Sequence, residues 1–316
     1  MACAMVSLSA AFLSENYQAP IMLFALLLGM SVGFLYADDD CAPGIDFCAS
    51  NVLRAGVALL GARILVGDVL ALGWSTAAVV VSGIVLTIAA GVFVARLLRL
   101  DAELGMLSGG AVAICGISAA MTLSSAMPNT PQNARNTLLT VVLIATIGAG
   151  AMIVYPVIAQ WLNLGELETG VFLGGSIHDV SHVVGASYGF APAVIDFAMI
   201  VKMLRVACLI PVAWAFILYF RSKAEAGVNH APVRLPWFLV AFVAIAVANN
   251  LGLIPELAAR AADGISRACF VAAIAALGIK TALKDLLSVG WRPVLLILIE
   301  SRFLGVLVLG WVLWSR

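Results

Sequence analysis

Leu173-Gly-Gly-Ser-Ile-His-Asp-Val-Ser-His-Val-Val-Gly-Ala-Ser187 places two histidines, an aspartate, three serines and three glycines in a chain that is otherwise mostly hydrocarbon. Polar and ionisable groups at membrane depth are costly, so they are kept for a substrate, an ion or a proton. A glycine pair opening such a segment also lets the helix bend, which irregular backbone in lipid does only where protein or a water-filled cavity covers it. The stretch predicts a broken helix inside a membrane.

The surrounding composition agrees. Of 316 residues, 63% are hydrophobic and 11% charged, and the mean hydropathy is +1.11, far outside the soluble globular range. Apolar runs near 18–36, 47–65, 70–95, 105–128, 137–160, 170–190, 193–220, 237–254, 264–283 and 293–314 are each long enough to cross roughly 30 Å of hydrocarbon. They predict an all-α polytopic membrane protein, a single domain over 1–316 with about ten transmembrane segments. Residues 1–13 are too short to span and lack the basic region of a signal peptide, so a frayed or interfacial helix is expected there. Zero net charge and no basic tail exclude nucleic acid as a partner. Six cysteines occur without a CxxC; three, Cys115, Cys208 and Cys269, lie well inside predicted spans as ordinary packing. Cys41 and Cys48 share an acidic loop and could bridge only in an oxidising compartment. No motif calls for a cofactor.

The chain repeats itself. Ala58-Leu-Leu-Gly-Ala-Arg-Ile-Leu-Val-Gly-Asp-Val-Leu-Ala-Leu-Gly-Trp74 aligns without gaps to Ala275-Ala-Leu-Gly-Ile-Lys-Thr-Ala-Leu-Lys-Asp-Leu-Leu-Ser-Val-Gly-Trp291, with 7 of 17 positions identical. The matches include Gly61/Gly278, Asp68/Asp285 and Trp74/Trp291, so 18–98 resembles 235–314. A weaker echo joins Gly105-x-x-x-Gly109-Gly110 to Gly170-x-x-x-Gly174-Gly175, each opening a Gly-rich segment (105–128 and 170–190). Lys and Arg cluster at 96–99, 221–234 and 280–292, which marks these stretches as cytoplasmic; Glu166 and Glu168 mark an outside loop. If every segment crosses, those glutamates fall inside and Arg135 outside. If both Gly-Gly segments re-enter, each assignment reverses and every repeat pair becomes antiparallel, the inverted-repeat plan of many secondary transporters.

The polar positions allow several chemistries. Half-helix ends at Gly109, Gly110, Cys115, Gly116 and Ser118, and at Gly174, Gly175, Ser176, His178 and Asp179, would offer free N–H groups to an anion. The same glycines would equally permit close helix packing. His178 and Asp179 would form a protonatable unit. His178-Asp-Val-Ser-His182 also has the i, i+4 spacing of an HExxH-like zinc site with Asp for Glu, Asp263 being a distant third ligand; hydrogen bonds to nearby backbone would account for both rings without a metal. Lys202 and Arg205 lie mid-segment about one turn apart and need a partner: an anion, Asp196 or Asp179. Arg63 and Lys280 are expected to snorkel to the interface.

Gly174-Gly-Ser-Ile-His-Asp-x-Ser-x-Val-Val-Gly-Ala, Val201-Lys-Met-Leu-Arg205, Leu235-Pro-Trp-Phe, Ala276-Leu-Gly-Ile-Lys280-Thr and Ala113-Ile-Cys-Gly-Ile-Ser-Ala119 together resemble the YeiH-type family of bacterial inner-membrane proteins described as sulfate exporters. The resemblance runs from about residue 18 to the end, with the first family helix expected to be incomplete. It implies a multi-pass plasma-membrane transporter with paired broken helices, exporting sulfate or a related sulfur oxyanion or sulfonate. Where the family pattern has Gln, this chain has His182, which speaks against zinc as a shared mechanism. The expectation is therefore a secondary transporter rather than an enzyme. The glycines, Cys115, Ser118 and Ser176 would cradle a small anion, Lys202 and Arg205 would balance it, and His178 and Asp179 would couple it to protons. The bilayer is its other partner, and a homodimer is compatible with this plan. An intramembrane zinc hydrolase and a passive anion channel are the rivals.

Overall fold

The computed structural model describes residues 1–17, 21–128, 130–221, 237–280 and 290–316, and every regular element among them is helical. Much of the basic stretch 221–234, Leu235 and Pro236 of the motif, and Asp285 of the repeat lie outside the described residues. In chain order the helices are α1 (Ala2–Tyr17), α2 (Ile21–Ser31), α3 (Ala42–Arg63), α4 (Val66–Leu97), α5 (Ala102–Ala113), α6 (Ile117–Ala126), α7 (Pro131–Trp161), α8 (Glu166–Ser176), α9 (Val180–Ser187), α10 (Pro192–Ala207), α11 (Leu209–Arg221), α12 (Trp237–Asn250), α13 (Glu256–Lys280) and α14 (Trp291–Trp314). Five are long and apolar enough to cross a membrane: α3, the part of α4 from Val69, α7, α13 and α14. Each predicted Gly-Gly segment is divided, into α5 and α6 and into α8 and α9. The N-terminal stretch forms the expected helix, and it is packed rather than frayed. It is a 16-residue helix packed on α2 and α13, with Cys3, Val6 and Ala10 buried, because its small residues let another helix approach closely.

Local chemistry sets several boundaries. Thr130 caps α7 by accepting from Asn133 N–H (3.1 Å), with Pro131 in the first turn where its missing N–H costs nothing. Glu168 reaches back to Gly165 N–H (2.8 Å) and takes Arg316 on its other side; that guanidinium holds the carboxyl below its ordinary range. Gly73 and Gly290, equivalent in the sequence repeat, both have positive φ, 66° and 84°. Each turns the chain just before an exposed tryptophan, Trp74 or Trp291, the residue that settles at a membrane–water boundary.

Tertiary contacts give the bundle two ends. At the first, Lys280 pairs with Asp46 (2.6 Å) beside Tyr36. At the second, Arg63 pairs with Asp196 (2.8 Å) and Asp263 (3.5 Å), and Asp263 with Arg267 (3.2 Å). Between Asp263 and Lys280, α13 rises about 25 Å at 1.5 Å per residue. The α5–α6 pair begins and finishes at the Lys280 end: Asp101 accepts from Gln132 (2.7 Å), and Ser124 meets Thr137 (2.6 Å). The α8–α9 pair begins and finishes at the Arg63 end, where Glu168 takes Arg316 and the Tyr188 ring lies 5.9 Å from Arg267.

The glycines make this packing possible. A Cβ on Gly109 would lie 2.9 Å from the Thr87 carbonyl of α4, and one on Gly174 would collide with the Ala198 carbonyl of α10. Gly110 and Gly175 face Leu123 and Val308 as tightly. These residues sit within α5 and α8, not at the openings that follow, so close helix approach is what they provide. Gly61 on α3 abuts the Phe242 carbonyl of α12, and its repeat equivalent Gly278 on α13 abuts the Leu26 carbonyl of α2.

Candidate functional site

The two broken helices meet where their backbones open. After α5, Ile114 leaves helical geometry, and Gly116 takes φ 68°, ψ −121° before α6. After α8, Ile177 is extended and Asp179, at φ −103°, caps α9. Breaking a helix strands its last carbonyls, and here two sets are stranded in the core.

Lys202 and Arg205, both fully buried on α10, collect them. Lys202 Nζ donates to Ile114 O (2.9 Å), Ile177 O (2.8 Å) and His178 O. Arg205 donates through Nε to Ala113 O (2.8 Å), through Nη1 to Gly174 O (3.1 Å), Gly175 O (2.8 Å) and Ile177 O (2.9 Å), and through Nη2 to Val112 O (2.7 Å). Two cations thus face the negative ends of two convergent half-helices. Asp196, weighed from sequence as a partner for Lys202, belongs to Arg63 instead.

The N-terminal ends of α6 and α9 are arranged differently. Among the described residues no side chain caps α6, so its first N–H groups remain open. At α9, Asp179 Oδ1 accepts from Ser181 N–H (2.9 Å) and Ser181 Oγ (2.6 Å), while Oδ2 takes no partner among the described residues and lies beside Gly116.

Both ends open on a cavity of about 340 Å³. Cys115, Ile117, Ser118, Asp179 and Val180 form its floor. Thr146 and its α7 neighbours wall one side, and Ser50 and Arg54 of α3 with Leu277 and Lys280 of α13 wall the other. The cavity thus reaches from the helix breaks to the Lys280 end. Arg54, half-buried, has no ion-pair partner among the described residues. Sequence pattern gave it no special weight, since an arginine near the start of a span is ordinary.

The other residues singled out from sequence lie elsewhere. Gly109, Gly110, Gly174, Gly175, Ser176, Lys202 and Arg205 stand behind the cavity floor rather than lining it. The Ser176 hydroxyl turns back to the Phe172 carbonyl. His178 is separated from Asp179 by its partners: Nε2 meets Ser301 Oγ of α14 (2.7 Å) and Nδ1 lies 3.3 Å from Ser176 O. The His182 ring packs on Gly148 of α7 with neither nitrogen hydrogen-bonded among the described residues. Among the described residues, no three His, Cys, Asp or Glu side chains gather as a metal-ligand set.

Comparison with known proteins places the chain. The family model described as conserved hypothetical protein 698 matches residues 1–297. A UPF0324 membrane protein of Chlorobaculum tepidum is 44% identical over 312 residues, covering 98% of this chain and 87% of the relative. The UPF0324 membrane protein TauZ of Paracoccus pantotrophus is 44% identical over 308 residues, covering 96% and 91%. A UPF0324 membrane protein of Rhizobium meliloti is 43% identical over 310 residues, covering 97% and 90%. No solved structure matches the chain. With an all-helical fold and five helices fit to cross a bilayer, the chain is a membrane protein and belongs to the conserved hypothetical protein 698 family, shared with these UPF0324 relatives.

Proposed function

We propose that the protein is a secondary transporter of the bacterial inner membrane, carrying a small solute with a sulfur oxyanion or sulfonate group. The observation that carries this reading is the uncapped α6 N-terminus, opening with Ser118 and Arg54 onto a cavity that reaches the Lys280 end, while the opposite end of the bundle is tied by the Arg63 ion pairs. Backbone N–H groups at a helix N-terminus, a hydroxyl and a guanidinium are the donors a desolvated oxyanion needs. Lys202 and Arg205 serve the site from behind, by neutralising the half-helix ends that would otherwise repel an anion.

In this reading the chain has about ten membrane segments, with α5–α6 and α8–α9 re-entrant from opposite sides. Supporting it, each broken pair returns to the end where it began. Supporting the inverted repeat, α3 and α13 run antiparallel, as do α4 and α14, and the matched glycines Gly61 and Gly278 make matched contacts. Arg96, Arg99, Arg135 and Lys280 then share the cytoplasmic side, and the cavity faces the cytoplasm.

Uptake of labelled sulfate, sulfite and 2-hydroxyethanesulfonate into proteoliposomes, with and without a pH gradient, tests the assignment. Wild-type protein is expected to move at least one of these, and Arg54→Ala to slow it about tenfold or more, the loss of one charge-assisted contact. Flux independent of any gradient, unable to concentrate solute, would make the protein a channel. No flux of any probe would remove the transport reading.

The Arg63 end supplies a second test. Arg63 lies on α3, Asp263 and Arg267 on α13 and Asp196 on α10, so this network ties α10 and α13 to α3. Arg63→Ala is expected to speed amide hydrogen exchange about tenfold over residues 185–197, by removing a half-buried multi-charge tie. Unchanged exchange there would exclude the network as a closure.

A further inference from the structure

The cavity that carries the transport reading holds both signs of charge, and that limits what can occupy it. Arg54 and Asp179 line the same 340 Å³ space, yet they form no ion pair with each other. Lys280, the third charged residue at its wall, is already paired with Asp46 at the mouth. The charges available to a ligand therefore balance. A dianion entering alone would meet one guanidinium and one carboxylate, and would leave excess negative charge in a largely apolar enclosure, where unpaired charge is costly.

The two helix ends differ in the same sense. The α6 N-terminus is uncapped and presents N–H groups. The α9 N-terminus is occupied by the Asp179 side chain, which is 8% exposed. Asp179 lines the cavity; its Oδ1 is committed to the two Ser181 donors, and its Oδ2 has no partner among the described residues and lies beside Gly116. A nearly buried carboxylate oxygen left open toward a cavity asks for a donor from whatever fills it.

We propose that the solute is a small zwitterion, its acidic group held by the α6 N-terminus, Ser118 and Arg54 and its ammonium group by Asp179. This rests on the transport reading and narrows its substrate class. An ammonium supplies the donor that Oδ2 lacks and cancels the carboxylate's repulsion of the acidic group, and the pair of charges crosses the membrane with no net charge moved.

The test is counterflow in proteoliposomes with three labelled probes: 2-aminoethanesulfonate, its hydroxyl isostere 2-hydroxyethanesulfonate, and sulfate. Unlabelled 3-aminopropionate as a competitor asks whether a carboxylate can replace the sulfonate. Wild-type protein is expected to exchange the aminosulfonate about tenfold or more faster than the hydroxyl isostere, one charge-assisted contact apart, without need of a pH gradient. Asp179→Asn is expected to reverse that preference, keeping the isostere and losing the aminosulfonate; its retained flux shows that the variant folds. Should the variant fail to fold, the wild-type preference decides. Isostere or sulfate flux equal to or above that of the aminosulfonate would overturn the zwitterion assignment and leave transport standing. If that flux also required an inward proton gradient, Asp179 would carry a proton in place of an ammonium. No flux of any probe would instead defeat the transport reading itself.

Discussion

Arg205→Lys is expected to destabilise the folded protein by about 2–5 kcal/mol, the cost of leaving buried carbonyls without donors, although it conserves charge and nearly conserves volume. The guanidinium reaches five carbonyls on two separate half-helices: Val112 and Ala113 of α5, and Gly174, Gly175 and Ile177 at the end of α8. A planar fork of five N–H groups can do this; the three protons of an ammonium cannot satisfy all five carbonyls. Water does not relieve the remainder, because the residue is 1% exposed. The measurement is thermal unfolding of the purified protein in detergent, with an expected fall of about 5–10 °C and a matching loss of solute flux. A variant with wild-type melting and flux would mean that the crossing holds itself together by helix packing alone. Lys202→Arg offers the converse control. Lys202 is fully buried and bonded to Ile114, Ile177 and His178 carbonyls, so a larger planar head must displace one of those backbone segments and is also expected to lower the melting temperature.

The cost of burying Lys202 and Arg205, and their common face, were both visible in the sequence; their partners were not. Side-chain pattern displays acids and bases, whereas the partners here are main-chain carbonyls exposed only because two helices break. The breaks were legible as Gly-rich segments, 105–128 and 170–190, but which residues within them would open was not. In an apolar segment glycine serves bending and close packing equally well, and the Gly109-Gly110 and Gly174-Gly175 pairs do the second while Gly116 and Ile177 do the first. The Gly-Trp echo at 73–74 and 290–291 was legible because a positive φ admits few residues besides glycine. Arg54, nine residues before Arg63 on the repeated segment, reads from sequence as another cation able to snorkel, because the cavity it enters is assembled from α3, α6, α7, α9 and α13, which no local spacing brings together. Arg63 was expected to snorkel; its partner Asp196 lies 133 positions away.

Gly116→Ala is expected to abolish solute flux while lowering stability by about 1–3 kcal/mol, the usual cost of a side chain held in a forbidden backbone region. At φ 68°, ψ −121° the residue lies where a Cβ is poorly tolerated. The added methyl would also sit 3.2 Å from Ile144 Cγ2 and 3.5 Å from Asp179 Oδ2, so it meets α7 on one side and the open carboxylate oxygen on the other. Relief requires the Cys115–Ile117 turn to shift, and that turn carries both the α6 N–H groups facing the cavity and the Ile114 carbonyl held by Lys202. Strain and geometry therefore act on one another: the conformation that frees the N–H groups is the one only glycine adopts easily. Gly264→Ala is the control, since that glycine sits in helix α13 and its added methyl meets nothing within 4 Å; wild-type flux and slightly raised stability are expected there. Flux by Gly116→Ala at the wild-type rate would show that the turn is not part of the binding surface, and would move the site away from the α6 N-terminus.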